Sequence, residues 1–457
     1  MLRCGDQSSP WQPCPASCSP PDGSRAPDPL GTRRKLAAGW LVAAGAVIAA
    51  PVAAQSIESD VPDQASHLEK DTGHYAVPDV GTKYLESANY QDEKDRFSIK
   101  IGLALLAGDY TTFEQDAASY QQVGLQEDDF EARSLRLMAR GHWELFRRWN
   151  YLFSYEYNGF DRDAKEPYWS STDVRISTDV DGLGTVSIGK MKEPYVYEMV
   201  GDAANLPQSE RLLSPFFKSR NVGVQLAHVL ASQRATFSVG VYNDWLFSDE
   251  DFEESGTDFA ARITALPVWE EDGARYLHVA ASVRYYGGDG DQLQLRGKPA
   301  TNVSDYYVDT GKFAGDHSWN TGLELLWNVD GWSLLGEYVT ASVSSPEYAN
   351  PDFHGWYVTG SWVVTGEHRP YDRKAAYARR ILPQGHWGAW EIVGRYGRVD
   401  LNDGKMRGGA MDGWWAGVNW WATNRWKFGV AYGNIDLDRF ELTGNTQTFL
   451  ARLQWIY

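Results

Sequence analysis

Apolar and polar residues alternate along this chain in runs of about ten, from Arg96 to Tyr457. In Arg96–Leu106, Phe97, Ile99, Ile101, Leu103 and Leu105 share one face, with Ser98, Lys100 and Gly102 on the other. Arg133–Trp143 sets Leu135, Leu137 and Ala139 against Arg136, Met138 and Arg140. Trp149–Asn158 sets Trp149, Tyr151, Phe153, Tyr155 and Tyr157 against Asn150, Ser154, Glu156 and Asn158. At the end of the chain, Phe449, Ala451, Leu453, Trp455 and Tyr457 alternate with Thr448, Leu450, Arg452 and Gln454. Runs begin near Arg96, Arg133, Trp149, Tyr168, Gly184, Arg220, Ala235, Thr257, Tyr276, Trp319, Trp332, Phe353, Gly388, Asp412, Arg425 and Thr446. The stretch near Asp305 reads either as loop or as a further strand.

A period of two, with Gly, Asp, Asn and Pro between the runs, predicts antiparallel strands joined by turns. Strands of about ten residues with a greasy face and a wetter one suit a wall between hydrocarbon and water. The predicted fold is therefore all-β: a transmembrane antiparallel β-barrel of about 16 strands with a long loop folded into its lumen. After the N-terminal segment no stretch approaches the roughly 18 apolar residues of a spanning helix.

Composition changes the picture in three places. The chain carries 20 Trp and 25 Tyr among 457 residues. These fit two aromatic girdles, or alternatively a secreted or surface carbohydrate-binding β protein with a Trp-lined groove. The two differ in where the rings point: in a barrel, Trp149, Trp327, Trp332, Trp414, Trp426 and Trp455 fall into two outward bands. Second, Arg33, Arg34 and Lys35 precede the uncharged stretch Leu36–Ala50, and Val52-Ala53-Ala54 follows with small residues. That is the layout of a cleaved secretory signal ending near Ala54. Residues 1–54 are thus read as an N-terminal extension plus signal peptide. Residues 55–95 form a flexible periplasmic leader, partly helical around Lys83–Tyr90, and 96–457 the barrel. Cys4, Cys14 and Cys18 all precede the cleavage point, so the mature part has no disulfide, thiolate metal site or cysteine nucleophile. Third, the net charge of −18 disfavours nucleic acid as a partner.

The candidate chemistry is electrostatic. Between the fifth and sixth runs, Gly189–Arg220 is long and holds Lys190, Lys192, Arg211, Lys218 and Arg220. Folded inward it would form a constriction, and rings of Lys and Arg select anions by replacing lost hydration. The loop Gly366–Gln384 carries Arg369, Arg373, Lys374, Arg379 and Arg380, a positive patch for gathering anions at a mouth or binding lipopolysaccharide phosphates. On the strands, Lys100, Arg136, Arg140, Arg175, Arg262, Arg284, Arg395, Lys427 and Arg452 have the parity of the polar face. So do Glu156, Asp173, Asp258, Glu324, Glu337 and Glu391, so the inward bias is mildly positive and cross-lumen ion pairs are an equal reading. Gly287-Gly288-Asp289-Gly290-Asp291 reads as a surface turn rather than a calcium loop. No P-loop or G-x-S-x-G elbow occurs and the nine His show no ligand spacing, so no enzyme, metal or cofactor is expected.

Several stretches resemble the phosphate-selective porin O and P family of outer-membrane channels. They are Leu106–Asp116, Arg133–Gly141, Ser187–Pro194 with the S-E-R and R-N-V-G-V that follow, Thr365–Asp372, Gly388–Tyr396 and Gly417–Trp421. The resemblance spans essentially Arg96–Tyr457. It implies a multi-pass barrel in the bacterial outer membrane, trimeric, surrounded by lipid and lipopolysaccharide, and passing small anions such as phosphate or polyphosphate. Lys190, Lys192, Glu210, Arg211 and Arg220 match family-like loop positions. The chain departs from the family's arginine ladder in having acidic side chains interleaved at inward positions. The function expected is passive diffusion of small hydrophilic solutes, with a preference for anions.

Overall fold

The computed structural model describes residues 89–158, 169–230, 232–243, 256–270, 273–288 and 292–456. The expected signal segment, most of the leader, Tyr457 and the centre of the Gly287–Asp291 turn lie outside the described residues.

Sixteen antiparallel strands close on themselves. They are β1 (Phe97–Gln115), β2 (Asp129–Glu144), β3 (Arg148–Tyr157), β4 (Trp169–Val180), β5 (Gly184–Met191), β6 (Asn221–Val229), β7 (Ala235–Tyr242) and β8 (Asp258–Trp269), then β9 (Arg275–Gly287), β10 (His317–Val329), β11 (Trp332–Ser344), β12 (Asp352–Val363), β13 (Ala389–Asp403), β14 (Met406–Trp421), β15 (Trp426–Arg439) and β16 (Leu442–Ile456). Each pairs with its neighbours in sequence, and β16 pairs back onto β1 from Leu105↔Ile456 to Gln115↔Thr446. Closure removes every unpaired sheet edge, which a strand in hydrocarbon could not tolerate. All sixteen predicted runs are strands. The starts of β2, β14 and β16 lie four to six residues earlier than the alternation indicated. The stretch near Asp305 is not a wall strand. It belongs to the β9–β10 connection, where Gln292–Leu293 pairs with Phe313–Ala314 and Arg296–Gly297 with Val308–Asp309. Residues Asn89–Gln91, at the end of the expected leader, pair as a short strand with Ser98–Lys100 where a helical turn was expected.

The outward face carries the apolar set. Along β10, Trp319, Leu323, Leu325 and Trp327 are exposed, while Ser318, Asn320, Glu324, Leu326 and Asn328 are buried. The large rings form two bands. Near the strand ends that meet at short turns, Trp332 stacks on Trp362 at 4.7 Å and Trp390 on Trp420 at 5.6 Å, with Trp426 and Trp327 beside them. Higher on the wall, Trp356 meets Tyr396, Trp414 meets Tyr432 and Trp319 meets Tyr285. Trp327 and Trp319 are eight residues apart on β10, roughly 27 Å of strand, or about 20 Å of height at a 40° tilt. That spacing fits a hydrocarbon slab between two interfaces. Outward bands of this kind dispose of the Trp-lined groove.

Wall parity shifts at five bulges, three of which bear on the lumen site. In β1 the register with β2 slips between Leu103 and Leu105 and again between Ala107 and Asp109. Leu105, assigned by alternation to the lipid face, is consequently buried on the inside. On β2 the second slip turns both Arg133 and Ser134 inward. In β4 a slip opposite Ser154 buries Thr172 and Asp173 together. A bulge inserts one residue, and one residue reverses every side chain beyond it.

Connections at one end are short: 145–147, 181–183, 230–234, 270–274, 330–331 and 422–425. In a bacterial barrel that end is periplasmic. One connection there breaks the pattern, residues 364–388 between β12 and β13. From the opposite end come 116–128, 192–220 and 288–316. All four fold over or into the lumen. The largest buried apolar cluster is therefore inside the cylinder, where Tyr195, Met199, Leu212, Leu213, Phe216, Tyr307 and Tyr377 pack on wall residues such as Tyr276, Val339 and Tyr357. The helix α1 (Ala117–Val123), capped by Asp116 accepting from Ser119 N at 2.7 Å, lies against β16 through a Ser119–Thr446 hydroxyl contact of 2.7 Å.

The seam between first and last strands is held by charge. Asp109 and Arg452 face each other in the β1–β16 register, Arg452 Nε donating to Asp109 at 2.7 Å. Arg452 also donates to Glu210 of the 192–220 loop at 2.5 Å. Removing one partner leaves a buried carboxylate uncompensated, which costs about 3–5 kcal/mol. Arg452→Ala is expected to lower the temperature at which the detergent-solubilised barrel loses its compact gel migration. Arg275→Ala, removing an exposed pair with Asp330 at 3.2 Å, should leave it unmoved.

Candidate functional site

The site is the lumen, and two elements define it. The 192–220 loop enters from the outer end and begins with a single turn of helix, α2 (Tyr197–Val200), whose first backbone N–H groups donate to Glu337 of β11. From there it crosses to the β1–β4 wall. Residues 364–388 enter from the periplasmic end and meet it. Arg369 donates to the Asn205 carbonyl at 2.7 Å, and Ala378 N to the Tyr197 hydroxyl at 2.8 Å.

Between the 192–220 loop and the wall of β1–β3 and β16 lies a cleft. Lys192, Arg211 and Arg220 reach it from the loop, Arg133 and Arg136 from β2, and Arg452 from β16. Against these six cations stand Glu156, Asp202 and Glu210. Glu210 is clasped by Arg133 at 2.6 Å and by Arg452. Burial would raise its pKa, but Arg133 and then Arg452 hold it at about 2. Arg136 binds Glu156 at 2.9 Å, and Arg220 binds Asp173 at 3.2 Å. Lys192 donates to the Gly201 carbonyl at 2.9 Å and Arg211 to the Glu198 carbonyl at 2.6 Å. Burial pulls the Lys192 ammonium well below the usual lysine range, Arg220 adds to this, and Asp202 opposes it. Burial likewise brings Arg211 down to about 10, against the pull of Glu210 and Glu198.

Elsewhere the inner wall is neutralised. Arg262 binds Glu324 at 2.7 Å, Arg284 binds Glu193 and Asp258 at 2.5 and 2.9 Å, and Arg395 binds Glu198 at 2.5 Å. Glu193 and Glu198, like Glu210, come from the loop rather than the wall.

The nine wall candidates named from sequence, Lys100, Arg136, Arg140, Arg175, Arg262, Arg284, Arg395, Lys427 and Arg452, all stand on inward positions, but they do not form one site. Lys100 and Arg140 are cross-strand partners near the periplasmic end. Arg175 is buried on β4 beside Asp173. Of the loop candidates, Lys192, Arg211 and Arg220 converge. Lys218 lies across the lumen, its ammonium 5.2 Å from the Tyr286 ring centre. Lys190 is the last-but-one residue of β5, two after the exposed Ile188 and opposite Val174 and Val222, so its parity is outward.

The second basic loop is also placed differently from the mouth patch expected. Arg369, Arg379 and Arg380 are buried inside the lumen at its periplasmic end, Arg369 on Glu391 and Arg379 on Asp372. Arg373 stacks over Trp269. Arg380 is only 2% exposed, and none of its three guanidinium nitrogens has a hydrogen-bond partner. Burial lowers its pKa to about 10, Asp202 opposing and Arg379 and Arg425 reinforcing. Arg133 escaped the sequence reading because the β2 bulge hides its parity. The spacing Arg133-x-x-Arg136 is the one trace it leaves, since two arginines three apart share a strand face only across a bulge.

A closed outer-membrane barrel whose lumen is charged, wet and narrowed by inserted loops is a porin-type channel. Comparison with known proteins agrees. The model of the family "Phosphate-selective porin O and P" matches residues 99–457, and the chain belongs to that family. An uncharacterized protein of Caulobacter vibrioides is 29% identical over 148 residues, 31% of this chain and 30% of that protein, so the match spans under a third of the relative's length. Among solved structures, OmpF of Salmonella typhi in complex with daunomycin is 11% identical, covers 80% of this chain and 100% of its own, and superposes with a TM-score of 0.50. The outer-membrane channel DcaP of Acinetobacter baumannii is 12% identical, with 80% and 100% coverage and a TM-score of 0.49. At such identities the likeness concerns the fold alone.

Proposed function

We propose that this porin passes small hydrophilic solutes by diffusion and prefers anions, oxyanions of the phosphate type in particular. One observation carries the preference: six cationic side chains and three carboxylates converge on the cleft beside the 192–220 loop. Guanidinium groups present paired N–H donors that match phosphate-like oxygens, and they replace the hydration an ion sheds on entering a narrow passage. Arg262, Arg284, Arg369, Arg379 and Arg395 are matched by carboxylates, so the preference is local rather than spread along a ladder. Arg380 continues the positive path toward the periplasm. The family's description supports the same reading. The working unit is taken to be a homotrimer among lipid and lipopolysaccharide, as the family resemblance implies.

The test is the reversal potential of the purified channel in planar bilayers under a potassium chloride gradient, with added phosphate as competitor. An anion-selective potential and a chloride current reduced by phosphate are expected; a cation-selective potential would falsify the proposal. The pH dependence has a definite sign. A lysine whose pKa is depressed is protonated at low pH and loses its charge earlier than a free lysine as pH rises. Anion preference should therefore decline with rising pH before ordinary lysines titrate. In Lys192→Arg, whose charge persists, that decline should be smaller.

A further inference from the structure

The strut Pro207–Arg211 divides the lumen, and its far side differs from the cationic side. There a second cleft lies between the strut, the 288–316 loop and the wall of β13–β16. Its floor is Trp415, on an inward position of β14. A Cβ on Gly433 would collide with the indole at Cδ1 and Nε1, and one on Gly413 would stand 3.1 Å from its far edge. The two glycines on adjoining strands thus let the ring lie flat on the wall with its other face toward the cleft. Trp415 is partly exposed, and its Nε1 has no hydrogen-bond partner. Opposite, Gln208 is 8% exposed, and both its amide nitrogen and its amide oxygen lack partners. Thr301, Thr448 and Asn419 line it as well, and so does Arg395, whose charge is matched by Glu198 and whose guanidinium stands 5.8 Å from the indole ring centre. Glu210 lines both clefts, but its carboxylate is turned to Arg133 and Arg452 on the cationic side.

We propose that this cleft is a second, neutral binding site that takes a small polyol. The argument is one of matching. A buried amide with both ends unpaired requires a ligand that donates and accepts, which a hydroxyl does and chloride or a fully ionised oxyanion does not. Such an anion would leave the Gln208 oxygen unpaired, and each unpaired buried polar group is costly. The C–H face of a polyol packs on an indole plate, while its hydroxyls reach the Gln208 amide and the indole N–H. The lumen then offers two sites of different preference, one on each side of the strut. The site presupposes the channel but not its anion preference.

Xylitol is the probe. In single-channel recordings on the full chain, xylitol added at constant salt should produce brief current reductions whose frequency saturates with concentration. Gln208→Leu keeps the bulk and removes both hydrogen-bonding ends, so half-saturation should rise about fivefold. Trp415→Leu should abolish saturation, and Trp415→Phe, which keeps the plate, should retain it. The reversal potential should stay unchanged in Gln208→Leu. In Arg220→Glu the potential should shift while the xylitol events persist, so failure of the polyol site and failure of the anion preference are read separately. Assembly of each variant is checked by heat-modifiable gel migration, and only assembled channels are scored. The idea is overturned if the parent shows no saturating events, if Gln208→Leu and Trp415→Leu match the parent, or if Arg220→Glu alone removes the events.

Discussion

Replacing residues 364–388 with a two-residue turn should raise single-channel conductance several-fold. The connection leaves β12 at Val363 and returns at Ala389, and β12 and β13 are already paired from His354↔Asp400 to Val363↔Glu391, so the wall does not need it. It occupies the lumen instead. Tyr371 shares a hydrogen bond of 2.7 Å with His278 of β9, the Ala376 carbonyl accepts from Arg262 at 3.0 Å, and Arg369 reaches both Glu391 and the 192–220 loop. Conductance follows the open cross-section, and removing a folded segment from the bore enlarges it directly. The loss of Arg369 leaves Glu391 beside Lys427 alone, so some selectivity should go with the obstruction. Single-channel current steps in molar potassium chloride measure the effect. Unchanged steps would mean that the limiting aperture lies elsewhere.

Charge reversal at two residues, Arg211→Glu with Arg220→Glu, should turn the anion preference into a cation preference. Both line the cationic cleft, and neither belongs to the seam that holds the barrel shut. The parent cleft has six cations against three carboxylates. The double variant has four cations against five carboxylates, so the sign of the local field changes. Arg220 also leaves Asp173 without its 3.2 Å partner, which deepens the change. The reversal potential should cross zero. A potential that keeps its sign would remove both residues from the selective region. Lys218→Glu is the internal comparison, because Lys218 lies on the opposite wall near Tyr286 and should shift the potential less.

Strands were the legible part of this chain, because hydrocarbon outside and water inside impose a period of two that no other environment enforces as strictly. Where the period breaks, legibility breaks with it. Leu105, Arg133 and Thr172–Asp173 sit at bulges whose extra residue leaves no mark in composition. The candidate site was half visible. Lys192, Arg211 and Arg220 are conspicuous as a basic cluster in a long loop, and Arg136 and Arg452 as inward parity. What could not be read was the pairing. Glu193, Glu198 and Glu210 neutralise Arg284, Arg395 and Arg452 across 91, 197 and 242 positions of sequence, and only the path of the loop through the lumen brings them together. The 364–388 loop was misplaced for a related reason: composition shows its charge but not the end of the cylinder from which it enters.

Glu210 ties the strut to the closing seam. It is held by Arg133 of β2 and by Arg452 of β16, and Arg452 also holds Asp109 of β1. One guanidinium therefore joins the first strand, the last strand and the segment that crosses the bore. A substitution at Arg452 is a defect of the wall and of the aperture at once, and the two readouts should fail together.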